Sequence, residues 1–200
     1  MSKQVIYPFQ TPIYEYIIDD NDYKLIKDNV SFYLKNNLNK FKKKWDCPTL
    51  SSIDVSPNFY FKSKTLNKLL TNISFEYSKN WEYSLPSNSK LQYLISENWI
   101  NVAPPGAYQE IHNHSNSLYS GVLYIDVGDN SGDLVLYNQN RLTSILMPPN
   151  KLNPSKFRIK PKNKKLIMFP SWLDHLVTEN KSPQDRISIS WNINFNLINK

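Results

Sequence analysis

From Tyr23 onward apolar side chains recur at three- and four-residue steps, through Ile26, Val30, Tyr33, Leu34, Leu38 and Phe41. That spacing lines one face of a helix, and the Asp19-Asp20-Asn21-Asp22 cluster ahead of it supplies caps and first-turn negative charge. A second stripe starts near Thr65 and passes through Leu66, Leu69, Leu70, Ile73, Tyr77 and Trp81, stopping before Pro86 and a Ser/Asn-rich turn. Both predict amphipathic packing helices. Between them Leu50 to Tyr60, with Pro57 and several serines, reads as a connection holding one short strand at most.

After residue 90 the period changes. Each segment is short, rich in β-branched or aromatic residues, and bounded by Gly, Pro, Asn or Asp, which predicts strands. They fall at 91–103, 107–114, 118–127, 133–138, 155–160, 165–169, 174–179 and 186–196. Eight strands preceded by two helices predict a mainly β protein with supporting helices, a jelly roll of two sheets. No repeat or linker divides the chain. A single domain over 1–200 is expected, in which 1–89 gives a strand plus two supporting helices and 90–196 the β core.

Composition narrows the class. At 200 residues, with 40% hydrophobic and 20% charged side chains, the chain has enough apolar surface for a core and is not a disordered segment. No apolar run approaches the length of a membrane span and no signal peptide opens the chain, so a cytoplasmic protein without membrane attachment is expected. Cys47 is the single cysteine. It rules out an intrachain disulfide and agrees with a reducing compartment. With no base or helix start beside it, it is not favoured as a nucleophile. The net charge of +7 is almost all lysine, with Arg141, Arg158 and Arg186 the arginines. Scattered lysines suit a solvated surface better than base and phosphate recognition, which weighs against nucleic acid as the main partner. The Lys42-Lys43-Lys44 cluster before Trp45 reads as a weak anionic-ligand patch at most.

The histidines carry the chemistry. His112 and His114 lie two apart on a predicted strand, so both rings can point to one face. His175 follows the apolar run Leu166-Ile167-Met168-Phe169 and lies on a strand that a sandwich can bring alongside. Two neighbouring ligands and a distant third make a facial metal site. Arg186 comes eleven residues after His175, and Ser188 two further on. Each piece alone has an ordinary structural explanation, and their order on predicted strands is what points to a metal centre. Two non-catalytic readings stand next to an enzyme: a cupin-type module binding a metal or small acid, for which three histidines suit zinc equally, and a basic-surface binding protein with incidental histidines.

The strings HNHSNSLYSGVLYI, FPSWLDHLVTEN and RISISWNINF resemble the 2-oxoglutarate and iron(II) dependent oxygenases of marine phages and bacteria, a branch near the prolyl-hydroxylase-like enzymes. The resemblance covers about residues 90–196. It implies a double-stranded β-helix of cupin-like form, with iron(II) held by His112, His114 and His175. It implies that Arg186 holds the far carboxylate of 2-oxoglutarate, with Ser188 and Tyr124 bonding the same group and Asn101, Trp99 and Trp191 as further site residues. The implied reaction is a dioxygenase's: O2 is consumed, 2-oxoglutarate is decarboxylated to succinate and a C–H of a peptide side chain or small molecule is hydroxylated, with ascorbate as an optional reductant. A phage-encoded protein would act in the host cytoplasm.

One departure stands out: the wider family has His-x-Asp or His-x-Glu where this chain has His114. Glu110, on the same predicted face, is an alternative ligand, whereas Asp174 should point away from its neighbour His175. Lys160, Lys162 and Lys165 are the alternatives to Arg186. Pro104-Pro105-Gly106 and the 139–154 segment, with Pro148, Pro149 and Pro154, are expected as mouth loops.

Overall fold

The structure is a computed structural model, and it describes residues 11–43, 47–53, 55, 64–79, 87–139 and 154–199. Lys44, Trp45, Pro57, Trp81, Pro86, Arg141 and residues 140–153 of the expected mouth loop lie outside the described residues. The elements in chain order are β1 (Tyr14–Ile17), α1 (Asp20–Asn37), β2 (Lys42–Lys43), β3 (Leu50–Ser51), α2 (Lys64–Ser78), β4 (Ser89–Ala103), β5 (Gln109–His112), β6 (Tyr119–Asp126), β7 (Leu134–Tyr137), β8 (Lys156–Ile159), β9 (Lys165–Pro170), β10 (His175–Val177) and β11 (Arg186–Asn199). All eight strands expected after residue 90 are present. Among the described residues the first half holds three short strands where one was expected, and these extend the edges of the larger sheet.

Helix α1 starts where the acidic cluster predicts. Asp19 is its N-cap and accepts from the backbone N–H of Asn21 and Asp22 at 3.0 and 2.9 Å. It ends earlier than the apolar stripe does. Asn36 and Asn37 donate their side-chain amides to the carbonyls of Phe32 and Tyr33, which draws the last turn into local bonding. Leu38 therefore opens a 3₁₀ turn, and Phe41 reaches the core from extended chain.

Two antiparallel sheets are formed, with strand orders β1-β9-β6-β11-β4-β3-β2 and β5-β10-β7-β8. The large sheet sorts its side chains by strand alternation. Ile100, Val102, Leu123, Ile125, Leu166, Met168, Ile189, Trp191 and Ile193 face the helices and join Ile26, Val30, Leu66, Leu70, Ile73 and Tyr77 in one buried core. Tyr124, Ile167 and Phe169 face the other way and pack with Leu134, Leu136, Ile159 and Leu173 of the small-sheet side. At roughly 1.5–3 kcal/mol for each fully buried large side chain, the helix-side core is the main stabilising body. The inter-sheet layer is thinner in apolar contacts and gives way to a cavity. Among the described residues no helix is long and apolar enough to cross a membrane.

Candidate active site

His112 ends β5 and His175 begins β10, and the two are register partners in the small sheet. Their ring centroids are 4.2 Å apart, and His114 stands 5.1 Å from the first and 5.2 Å from the second. One candidate ligand atom from each ring lies within 4.8 Å of the others. A single ion with bonds of about 2.1 Å closes such a triangle by small ring rotations. Nδ1 of His112 lies 2.7 Å from the Glu110 carbonyl, and Nδ1 of His175 lies 2.9 Å from the Leu173 carbonyl. A carbonyl only accepts, so in both rings Nδ1 carries the proton and Nε2 is the atom left for a metal. This donor set fits a divalent transition metal.

The strand expected at 107–114 stops at His112, so His114 is not on the ladder. Its backbone N–H donates to the Ser171 carbonyl at 2.8 Å, and its own carbonyl accepts from Ser117 at 3.1 Å. The chain turns there towards β6, and the third ring is delivered by a pinned loop. Glu110 is exposed and outside the histidine cluster. Its contribution is the carbonyl that orients His112. Asp174 accepts from Asn113 at 2.9 Å, away from the cluster as expected. His175 is only 4% exposed. Burial, and then the neighbouring rings of His112 and His114, hold its pKa well below the usual histidine range despite the opposing Leu173 bond, so it stays neutral, as a metal ligand must.

A cavity of about 230 Å³ opens between the sheets beside the histidines. Arg186, the first residue of β11, lines it and is 4% exposed. Its Nη1 donates to the Ser131 carbonyl. Burial lowers its pKa somewhat, yet guanidinium remains a cation at any ordinary pH. Gly132 makes this seat possible: it has a φ of +93°, and a Cβ there would come within 2.2 Å of the Thr178 carbonyl and 2.7 Å of Arg186 Nη1. Ser188 and Tyr124 face each other across the β11–β6 ladder in the next row, both at the cavity wall. Burial pushes the Tyr124 hydroxyl up to about 12, with the Arg186 charge opposing the rise. Asn101 is the other neighbour of Ser188, and it donates to Ser190 at 3.1 Å. Trp99 lies 5.8 Å from the His114 ring. Trp191 has its indole in the helix-side core, over Gly121, where a Cβ would sit 2.4 Å from the ring.

Lys165 pairs with Glu15 at 2.9 Å, and neither it nor Lys160 or Lys162 is among the described residues at the cavity. The Pro104-Pro105-Gly106 turn is not at the cavity either. Gly106 N–H is tied to the Asn180 carbonyl at 2.7 Å, and this holds the turn against the loop before β11. Sequence reasoning missed a polar row at the opposite end. Glu97 accepts from Asn192 at 2.9 Å, Asn192 accepts from Ser120 at 2.7 Å, and Ser120 meets Ser171 at 2.7 Å. The signal was available: Glu97 and Asn101 on β4, and Ser188, Ser190 and Asn192 on β11, recur at even spacing and so put polar groups on one face of each strand.

Residues 97–192 match the family model described as "Putative 2OG-Fe(II) oxygenase". No curated protein matches the sequence significantly. Among solved structures, a Pseudomonas putida prolyl-4-hydroxylase is 13% identical with a TM-score of 0.59, over 91% of this chain and 92% of that one. The collagen prolyl hydroxylase of Paramecium Bursaria Chlorella virus-1, solved with 2OG, is 13% identical with a TM-score of 0.56, over 90% and 94%. A protein of the 2OG-Fe(II) oxygenase family from Burkholderia pseudomallei is 15% identical with a TM-score of 0.50, over 68% of this chain and 59% of that chain's length. These likenesses show the fold, a double-stranded β-helix.

Proposed function

Because residues 97–192 match the model of the 2-oxoglutarate and iron(II) dependent oxygenases, we propose that the chain belongs to that family, that His112, His114 and His175 hold its iron and that Arg186 receives the far carboxylate of 2-oxoglutarate. The observation carrying this reading is the convergence of three imidazoles beside a cavity with a buried guanidinium in its wall. Bound iron and 2-oxoglutarate supply the oxidative chemistry of this family: decarboxylation to succinate coupled to oxidation of a substrate C–H.

The protein's own residues hold, orient and exclude. The two Nδ1–carbonyl bonds fix which nitrogen of His112 and His175 faces the ion. Arg186 commits one N–H to Ser131 and has others for a two-pronged, charge-assisted grip on a carboxylate. Ser188 and the Tyr124 hydroxyl, which stays protonated at any working pH, supply neutral donors alongside it. Phe169, Leu134, Val177 and Trp99 line the cavity with apolar surface, which keeps water from the reacting atoms. We take the chain as one domain whose helices back the site-bearing sheet. Hydroxylation of a peptide side chain or small molecule is the reaction we favour, and the lone, buried Cys47 suits a cytoplasmic setting.

The test is an anaerobic titration of metal-free protein with iron(II) and then 2-oxoglutarate, followed by visible absorption. The expected result is the charge-transfer band of a chelated keto acid. Iron binding without that band would overturn the assignment of the 2-oxoglutarate site, and failure to bind iron would overturn the histidine assignment.

A further inference from the structure

We propose that Glu97 is the recognition point for a positively charged group, an ammonium or guanidinium, on the primary substrate. The proposal rests on the oxygenase reading above and adds the chemical class of the substrate.

The argument is positional. Along β11 Arg186, Ser188 and Ser190 line the cavity and Asn192 follows at the same two-residue step, the four paired across the ladder with Ala103, Asn101, Trp99 and Glu97 of β4. Six residues of strand place the Arg186 and Asn192 rows roughly 20 Å apart. The ring of Trp99, in the third row, is 5.8 Å from that of His114, so the histidine cluster stands between the two ends. A dicarboxylate gripped by Arg186 occupies the near side, and the space left for a substrate runs towards Glu97.

Glu97 is the one carboxylate among the described residues lining the cavity. It is exposed, which puts it at the open end. Its Oε2 is held by Asn192, and Asn192 is itself anchored by Ser120 and Ser171; these three supports are buried. The carboxylate is therefore oriented before any ligand arrives. In a protein with a net charge of +7, none of the ion pairs among the described residues involves it. The cavity of about 230 Å³ lies below the roughly 300–1,000 Å³ usual for ligand pockets. With 2-oxoglutarate at the Arg186 end it leaves room only for the end of one side chain or a small molecule, and an oriented charge at its mouth then discriminates among such ligands.

The test uses the full chain loaded anaerobically with iron(II) and 2-oxoglutarate. It is titrated with free L-lysine and L-arginine in one arm, and with short peptides carrying one central lysine or arginine in the other. Acetyl-lysine and citrulline counterparts serve as uncharged controls. Shifts of the charge-transfer band report binding, and succinate formed on admitting air reports coupling. In at least one arm the charged probe is expected to bind about tenfold or more tightly than its neutral counterpart, and the arm that responds tells a free metabolite from a peptide. In Glu97→Gln, whose amide oxygen can still accept from Asn192, that preference should disappear. No preference for charge in the wild type, or a preference that survives in Glu97→Gln, overturns the proposal. A wild type without the 2-oxoglutarate band fails the parent reading and this one with it, whereas an intact band without charge preference fails Glu97 alone.

Discussion

His112 and His175 face each other across the β5–β10 ladder with ring centroids 4.2 Å apart, and each bonds through Nδ1 to the carbonyl two residues before it. The same local device therefore aims both rings from opposite strands. His114 lies beyond the end of that ladder, on a loop whose backbone is tied to Ser171. Two donors are thus set by the sheet and the third by a turn, so the third position should be the most tolerant of exchange.

His175→Ala is expected to abolish iron(II) binding and substrate-independent 2-oxoglutarate turnover. His114→Asp should keep iron, because it recreates the two-histidine, one-carboxylate set of related sites. Anaerobic iron titration of both variants checks this, and tight iron binding by His175→Ala would remove that residue from the ligand set.

Arg186→Ala should retain iron yet raise the 2-oxoglutarate requirement at least tenfold, since each charge-assisted bond contributes about 1.5–3 kcal/mol. Arg186→Lys should recover only part of the loss, because an ammonium restores charge but not the fork. Apparent KM values for 2-oxoglutarate decide the point, and an unaltered KM in the alanine variant would assign the carboxylate to another group.

Gly132→Ala and Gly121→Ala should separate stability from cofactor binding. The first forces a Cβ at positive φ against the Thr178 carbonyl and Arg186 Nη1, at a cost of about 1–3 kcal/mol, and should also weaken 2-oxoglutarate binding. The second drives a methyl into the Trp191 ring on the helix side of the sheet. It should lower the melting temperature and leave 2-oxoglutarate affinity near that of the wild type. Thermal melts and KM measurements on the two variants test the contrast.

Tyr124 gives a stability change at alkaline pH. In the unfolded chain its hydroxyl ionises near pH 10, while in the fold burial holds the proton to about 12. The native state therefore binds more protons between these values, and raising the pH favours unfolding, by about 2–3 kcal/mol at the upper end. Tyr124→Phe lacks this contribution, so its stability should fall less steeply from pH 10 to 12. Urea unfolding at pH 8, 10 and 11 measures the slope, and parallel slopes in the two proteins would contradict it.

Much of this was open to a reader of the chain. Period-two strands after residue 90, the capped stripe from Tyr23, the His-x-His pair, His175 and Arg186 are local signals, because side-chain direction in a strand or helix follows from the backbone repeat alone. Less local features were misread. Leu38 and Phe41 continued the helical stripe, yet the helix ended when Asn36 and Asn37 bonded to its last carbonyls. The pattern extends the strand through His114, yet the strand stops at His112 because the His114 N–H finds its partner in the Ser171 carbonyl, on a distant turn.

The order of residues along the chain sets which chemistry the protein can hold: three imidazoles, one arginine at the head of the last strand, and alternating faces to present them. How these groups meet follows from the packing of distant segments. The register between β5 and β10 made His112 and His175 neighbours. The pairing of β11 with β4 and β6 set Arg186, Tyr124 and Ser188 at one end of a cavity and Glu97 with Asn192 at the other. Strand alternation is a property of neighbouring residues, but register and strand order arise from burying two faces of one sheet at once, and that balance is struck among segments far apart in the chain.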